Sequence, residues 1–276
     1  MKTILIPIDF STATQHVLDY VSAASKDIKI GRVILLTSMY TSVYQQIVFS
    51  AEYMCLNESN FEIERRGILD HIENLCLEFT EKIDFHTKVE KAITELHLIN
   101  AISQLIRQEK PDMLVLNSDQ ANPDAGYIGK NVIPIVKSST IPILIIPSNA
   151  HYQKFRSALI PIDFQALDRL TVFRQSLAIT SDIKPFIKVL NISRKGDFEH
   201  EKHNLLRLLT GFSISVHQTD NPDILDGILD FIEQNDLQLI MALPGKYNFF
   251  KRLTHRSITQ TITLKSHLPV LILKQS

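Results

Sequence analysis

The sequence predicts two tandem doubly wound α/β domains, each a parallel sheet flanked by helices. Three observations predict this class. The chain repeats its own opening motif, short apolar runs alternate with amphipathic stretches throughout, and 276 residues accommodate two domains of ordinary size. Leu5-Ile-Pro-Ile-Asp-Phe10 recurs as Leu159-Ile-Pro-Ile-Asp-Phe164. Further on, Ser139-Thr-Ile-Pro-Ile-Leu-Ile-Ile146 resembles Ser266-His-Leu-Pro-Val-Leu-Ile-Leu273. Two matches in the same order read as a tandem duplication. The boundary falls in the polar stretch Pro147–Tyr152 and gives domains of residues 1–150 and 151–276.

In the first repeat, Thr3–Ile8, Arg32–Thr37, Ile83–Val89, Met113–Asn117 and Ile143–Ile146 are predicted strands. They are rich in Ile, Val and Leu, as a sheet covered on both faces requires. Ser11–Ala24 is a predicted helix with Ala13, Val17, Tyr20, Val21 and Ala24 on one stripe and Ser11 as its N-cap. Leu98, Ile99, Ile102, Leu105 and Ile106 form a second stripe that ends before Pro111. In the second repeat the predicted strands are Ser157–Ile162, Phe186–Asn191, Ser213–His217, Leu239–Ala242 and Val270–Leu273. A helix is expected to open at Asn221-Pro222, an N-cap followed by proline at the first helical position, with Ile224, Leu225, Ile228, Leu229 and Ile232 inward. The extra length of the first repeat follows its second strand. Residues 39–57 are rich in Tyr and Met and read either as packing or as a lid over the first cleft.

Composition narrows the function. Apolar residues make up 45% of the chain and charged residues 21%, enough for a large core. Lys plus Arg number 29 and Asp plus Glu 30, so no global field draws in nucleic acid or anionic lipid. The apolar runs are strand-length, and the N-terminus lacks the pattern of a signal peptide. No membrane association and a cytoplasmic location are therefore expected. Cys55 and Cys76 show no CxxC pattern and are read as two buried thiols rather than a disulfide. Only 8 glycines are present, which leaves little material for two glycine-rich phosphate loops.

Asp9 and Asp163 end the first strand of each repeat. Ligands of such folds sit at the carboxyl ends of strands, so both are candidate binding residues. The blander reading of each, a cap for the helix that follows, is the favoured one. Lys130 follows Gly129 at an expected helix start, where it meets either phosphate or solvent. Lys246, Lys251, Arg252, His255 and Arg256 bring cationic groups together around Phe249 and Phe250. With Ser257 they form either an anion site or a basic helix face whose phenylalanines dock on the core. Glu199, His200 and His203 fall on one helix and read as a polar face, so no metal site is assigned. No Ser-His-Asp order, Cys-His order or HExxH motif points to a catalytic residue, and the chain is read as a non-enzyme.

The opening Ile-Pro-Ile-Asp-Phe motif, the α/β rhythm, the repeat size and the closing (Ile/Leu)-Pro-(Ile/Val)-Leu strand together resemble the universal stress protein family, in its tandem form. That resemblance implies a stress-response or regulatory module. It also implies a pocket at Pro7 and Asp9 facing G-x2-G-x9-G-(S/T) after the fourth strand, which holds an adenine nucleotide such as ATP in the members that bind one. Counting 13 back from Pro142 reaches Gly129, followed by Lys130 where Ser or Thr is expected and then by Asn131. The two earlier glycine positions hold Leu116 and Asp119, and the loop from Asn117 to Gly126 is polar, with Asp119 and Asp124 opposing phosphate. In the second repeat the same count from Pro269 reaches Arg256 and Ser257, and the earlier positions hold Leu243 and Lys246. Neither repeat carries the whole motif. Adenine-nucleotide or other anion binding in a remodelled pocket therefore stands beside a module that binds none, and beside a scaffold for a protein partner. The resemblance further implies an intramolecular pseudo-dimer joined through the fifth strands, with dimerisation of the whole chain left open.

Overall fold

The computed structural model describes residues 1–40, 58–118, 126–162, 164, 183–192, 198–242 and 267–274. The chain divides into compact units Met1–Ser139 and Thr140–Ser276. This division follows contacts, whereas the boundary at residue 150 follows the repeat.

The first unit contains β1 (Lys2–Ile8), α1 (Thr12–Ser25), β2 (Ile30–Ser38), α2 (Glu58–Lys82) and β3 (Lys88–Thr94). It continues with α3 (Leu98–Glu109), β4 (Met113–Ser118), α4 (Tyr127–Lys130) and α5 (Val132–Ser138). Its parallel strands lie in the order β3-β2-β1-β4. The chain steps outward from β1 to β3 and then returns to the other side of β1. The reversal places a crevice at the carboxyl ends of β1 and β4. Leu5, Ile6, Val33, Leu35, Leu36, Leu114 and Val115 are sealed from solvent and form the central sheet core.

Local chemistry sets the helix ends. Ser11 has extended backbone, and its Oγ accepts from Thr14 N, so it caps α1 as the sequence predicts. The stripe Ala13, Val17, Tyr20, Val21 and Ala24 is buried. The α3 helix stops at Lys110, which takes a left-handed conformation (φ 47°) directly before Pro111. Two expectations are corrected. The third strand is Lys88–Thr94, not Ile83–Val89. Ile83 continues the last turn of α2 through Ile83 N to Phe79 O, and Thr87 N closes a turn on Asp84 O. The strand itself carries Lys88, Glu90 and Lys91 because it is an edge of its unit, open to solvent.

The second unit contains β5 (Ile143–Pro147), β6 (Ser157–Ile162), β7 (Phe186–Asn191), α6 (Glu199–Leu208), β8 (Ile214–Gln218), α7 (Ile224–Glu233), β9 (Leu239–Ala242) and β10 (Val270–Ile272). Their order is β5-β10-β9-β6-β7-β8. Pairing is parallel except between β5 and β10, which run antiparallel with Leu271 opposite Leu144. The second correction concerns α7. Its N-cap is Asp223, not Asn221. Asp223 Oδ1 accepts from Leu225 N and Asp226 N at 2.8 and 3.0 Å, while Asn221 Oδ1 accepts from Asp223 N to make a turn upstream.

The two units start their central strands in the same way. Thr3 N donates to Asp112 Oδ2 at 2.7 Å, one residue before β4. Ser157 N donates to Gln238 Oε1 at 2.9 Å, one residue before β9. Cys76 is a free, half-buried thiol, and burial raises its pKa, so it is not a ready thiolate. Cys55 lies outside the described residues, as do residues 41–57 of the expected lid. Among the described residues no helix is long and apolar enough to cross a membrane.

Candidate functional site

The crevice at the carboxyl end of β1 is organised by one side chain. Asp9 Oδ1 accepts from Ser11 Oγ at 2.6 Å, Thr14 Oγ1 at 2.9 Å and Ser11 N at 3.2 Å. Asp9 Oδ2 accepts from Ile128 N at 2.9 Å, across 119 residues of chain. Ser11 is the N-cap of α1, and Ile128 is the second residue of α4. One carboxylate therefore serves two helix N-termini, where unpaired N–H groups favour negative charge. Gly126, at the N-cap position of α4, has no side chain to offer. A Cβ built there would lie 2.1 Å from Asp9 Oδ2 and 2.6 Å from its Cγ. The glycine leaves room for the protein's own carboxylate.

The next residue, Phe10, holds φ at 57°, a left-handed setting that is unusual and strained for a bulky side chain. Its ring lies 5.5 Å from His71 of α2. In the second unit Ile162 pairs with Asn191 as Ile8 pairs with Thr37. There Asn191 Oδ1 accepts from Phe164 N at 3.3 Å, and Phe164 packs edge-on against Phe198. The register counterpart of Asn191 in the first unit is Thr37, whose Oγ1 has no hydrogen-bond partner.

The other predicted residues of the first repeat gather around this corner. Pro7 is buried in β1. Gly129 is buried within α4, Lys130 is its exposed last residue, and Asn131 Nδ2 donates back to Tyr127 O at 2.8 Å. Asn117 is 4% exposed at the end of β4, and its Oδ1 has no hydrogen-bond partner. Thr37 Oγ1, at the end of β2, is buried in the same condition. Continuing the β1–β4 register from Leu5 opposite Leu114 brings Asn117 beside Ile8, in the row of Thr37. Asp163, Lys246, His255, Arg256 and Ser257 lie outside the described residues, as do Asp119, Asp124 and the Phe249–Phe250 pair.

Sequence reasoning missed an aromatic set at the same strand ends. Tyr127 Oη and His97 Nε2 are 2.9 Å apart. The His97 ring meets Tyr127 edge-on at 6.2 Å and Tyr40 edge-on at 5.5 Å. These residues follow β2, follow β3 and open α4, so only the topology unites them. Thr37 is just as inconspicuous, a polar residue inside an apolar run. Chemically, the corner is a carboxylate that accepts four hydrogen bonds beside a half-exposed aromatic wall. It is suited to holding helix ends together.

Comparison with known proteins bears on this geometry. The model of the universal stress protein family matches residues 1–147. A universal stress protein from Archaeoglobus fulgidus DSM 4304 shares the fold at 14% identity and a TM-score of 0.64, with 100% of this chain and 97% of that chain covered. A functionally unknown protein from Pseudomonas aeruginosa PAO1 aligns at 10% identity and a TM-score of 0.52, with 100% and 93% covered. No curated protein matches the chain.

Proposed function

Since the chain belongs to the universal stress protein family, we propose that it is a non-enzymatic stress-response or regulatory module, built from two family repeats, whose first phosphate site is replaced by an internal cap. The observation that carries this reading is the Asp9 carboxylate on Ile128 N, packed against Gly126. A phosphate at that helix end would face a fixed negative charge and find its N–H donor already engaged. The loss of two motif glycines in the first repeat points the same way. The tandem reading draws on the shared strand-start bonds to Asp112 and Gln238. The pseudo-dimer reading draws on β5 pairing with β10, each the closing strand of its repeat.

A second reading, a sensor of a small ligand, is favoured by the aromatic set beside the cap and by the unpartnered Thr37 and Asn117 oxygens. Isothermal titration of the full chain with ATP, ADP, AMP and cyclic nucleotides separates the two. The proposal expects no site tighter than about 10 µM, roughly −7 kcal/mol, in the first repeat. Tighter binding that a Gly129→Glu variant abolishes would overturn it. Tighter binding that survives this variant assigns the ligand to the second repeat and leaves the capped first site in place.

A further inference from the structure

The second unit carries a polar seam that the strand-end site does not use. Lys188 of β7 and Ser215 of β8 are register partners, so their side chains leave the same face of the sheet, and His217 shares that face two residues on. Ser215 Oγ and His217 Nε2 are 2.7 Å apart. The C-terminal end of α7 lies over this seam. The Phe231 ring is 5.0 Å from the His217 ring, and Lys188 Nζ donates to Asn235 Oδ1 at 2.7 Å. Asn235 Nδ2 in turn donates to Phe231 O at 2.8 Å, which ties the seam to the backbone of α7.

We propose that His217 is an acid-sensitive latch that holds α7 on the edge strand β8 while its imidazole is neutral and loosens it when protonated. The groups around it set the direction. Ser215 on its own strand and Asn235 and Phe231 from α7 are uncharged, and Lys188 from β7 is cationic. Asp230, the acidic residue of α7 next to Phe231, is engaged by Asn221 Nδ2 at 2.9 Å, and Glu233 is exposed. Protonation therefore sets a second cation beside Lys188 in a half-buried position. Burial first, and Lys188 second, hold the His217 pKa below the ordinary histidine value. The folded chain binds this proton less readily than the unfolded chain. The latch contributes fully above the ordinary histidine value and weakens as pH falls through that value toward the lower folded one. Because β8 ends the strand order of its unit, the element released lies over a sheet edge.

Hydrogen exchange of the full chain, corrected for intrinsic rates and followed across residues 224–235 from about pH 7.5 to about pH 5, tests this. The wild type is expected to lose protection severalfold there on acidification, and a His217→Gln variant to show no such loss. A Lys188→Met variant, which keeps the stem and removes the charge, is expected to move the midpoint to higher pH. It keeps the test decisive if the glutamine variant folds poorly. Protection independent of pH in the wild type, an equal loss in His217→Gln, or an unmoved midpoint in Lys188→Met would each overturn the latch.

Discussion

The sharpest consequence of the capped corner is a coupling between Gly126 and Asp9. Gly126 has φ −57° and ψ 173°, a conformation alanine adopts without strain, so Gly126→Ala has no backbone penalty of its own. The obstacle nearest the new Cβ is the Asp9 carboxylate, whose Oδ2, Cγ and Oδ1 lie 2.1, 2.6 and 2.8 Å away. To admit the methyl group, Asp9 must swing away, give up Ile128 N and distort its bonds to Ser11 and Thr14. A hydrogen bond to a charged acceptor contributes about 1.5–3 kcal/mol, and overpacking costs about 1–3 kcal/mol. These effects overlap, so Gly126→Ala is expected to destabilise the first unit by about 2–4 kcal/mol. With Asp9→Ala already in place the obstacle is gone. Gly126→Ala then becomes neutral, or stabilising by up to about 1 kcal/mol through the unfolded chain. A double-mutant cycle in urea, with exchange of the Ile128 amide as a local reporter, measures the difference. Equal costs in both backgrounds, within about 0.5 kcal/mol, would refute the account of the corner.

Two further predictions concern stability. Gln238 is 5% exposed and accepts from both Arg156 N and Ser157 N, so Gln238→Leu strands two donors and is expected to cost about 2–4 kcal/mol. Asp112→Ala frees a single exposed donor and should cost about 1 kcal/mol or less, with urea midpoints reporting both. On the β3 edge, hydrogen bonds from Arg32 first and Lys88 second hold Glu90 below the ordinary carboxylate value. Its contribution is present above that ordinary value and is lost as pH falls. A Glu90→Gln variant should therefore show a smaller drop in urea midpoint between about pH 6 and about pH 4 than the wild type. An equal drop would remove Glu90 from the acid response.

Much of the fold was legible because its signal is local. The strands Ser157–Ile162, Phe186–Asn191 and Leu239–Ala242 are predicted to the residue, since parallel strands covered on both faces are rich in apolar residues. The β3 strand escapes the apolar pattern because an edge strand is allowed charge, and Ile83, which reads as its start, is buried and bonded to Phe79 O at the end of α2. At the α7 start, asparagine followed by proline is a good cap signal, yet Asp223 competes two residues later and engages two backbone donors. Asp9 was legible as a residue of consequence, with a binding role and a capping role both open. The hydrogen bonds show it at two helix ends. Its bond to Ile128 N could not be read from the chain, because it spans 119 residues and reports only on how α4 returns to β1. The aromatic set of Tyr40, His97 and Tyr127 escaped for the same reason.

The antiparallel pair of β5 and β10 has a consequence for dissecting the chain. β10 is three residues long, all apolar and buried, and β5 covers one side of it. A fragment cut at the repeat boundary, after residue 150, leaves the backbone groups of Val270–Ile272 on that side open. Such a bare apolar edge recruits any strand within reach, including that of a neighbouring molecule. A fragment beginning at Thr140 brings its own β5 and stays capped. The same reasoning makes β5 the natural segment for exchange between two copies of the chain, because a β5 donated by one molecule fits the β10 of another with no new contact to invent.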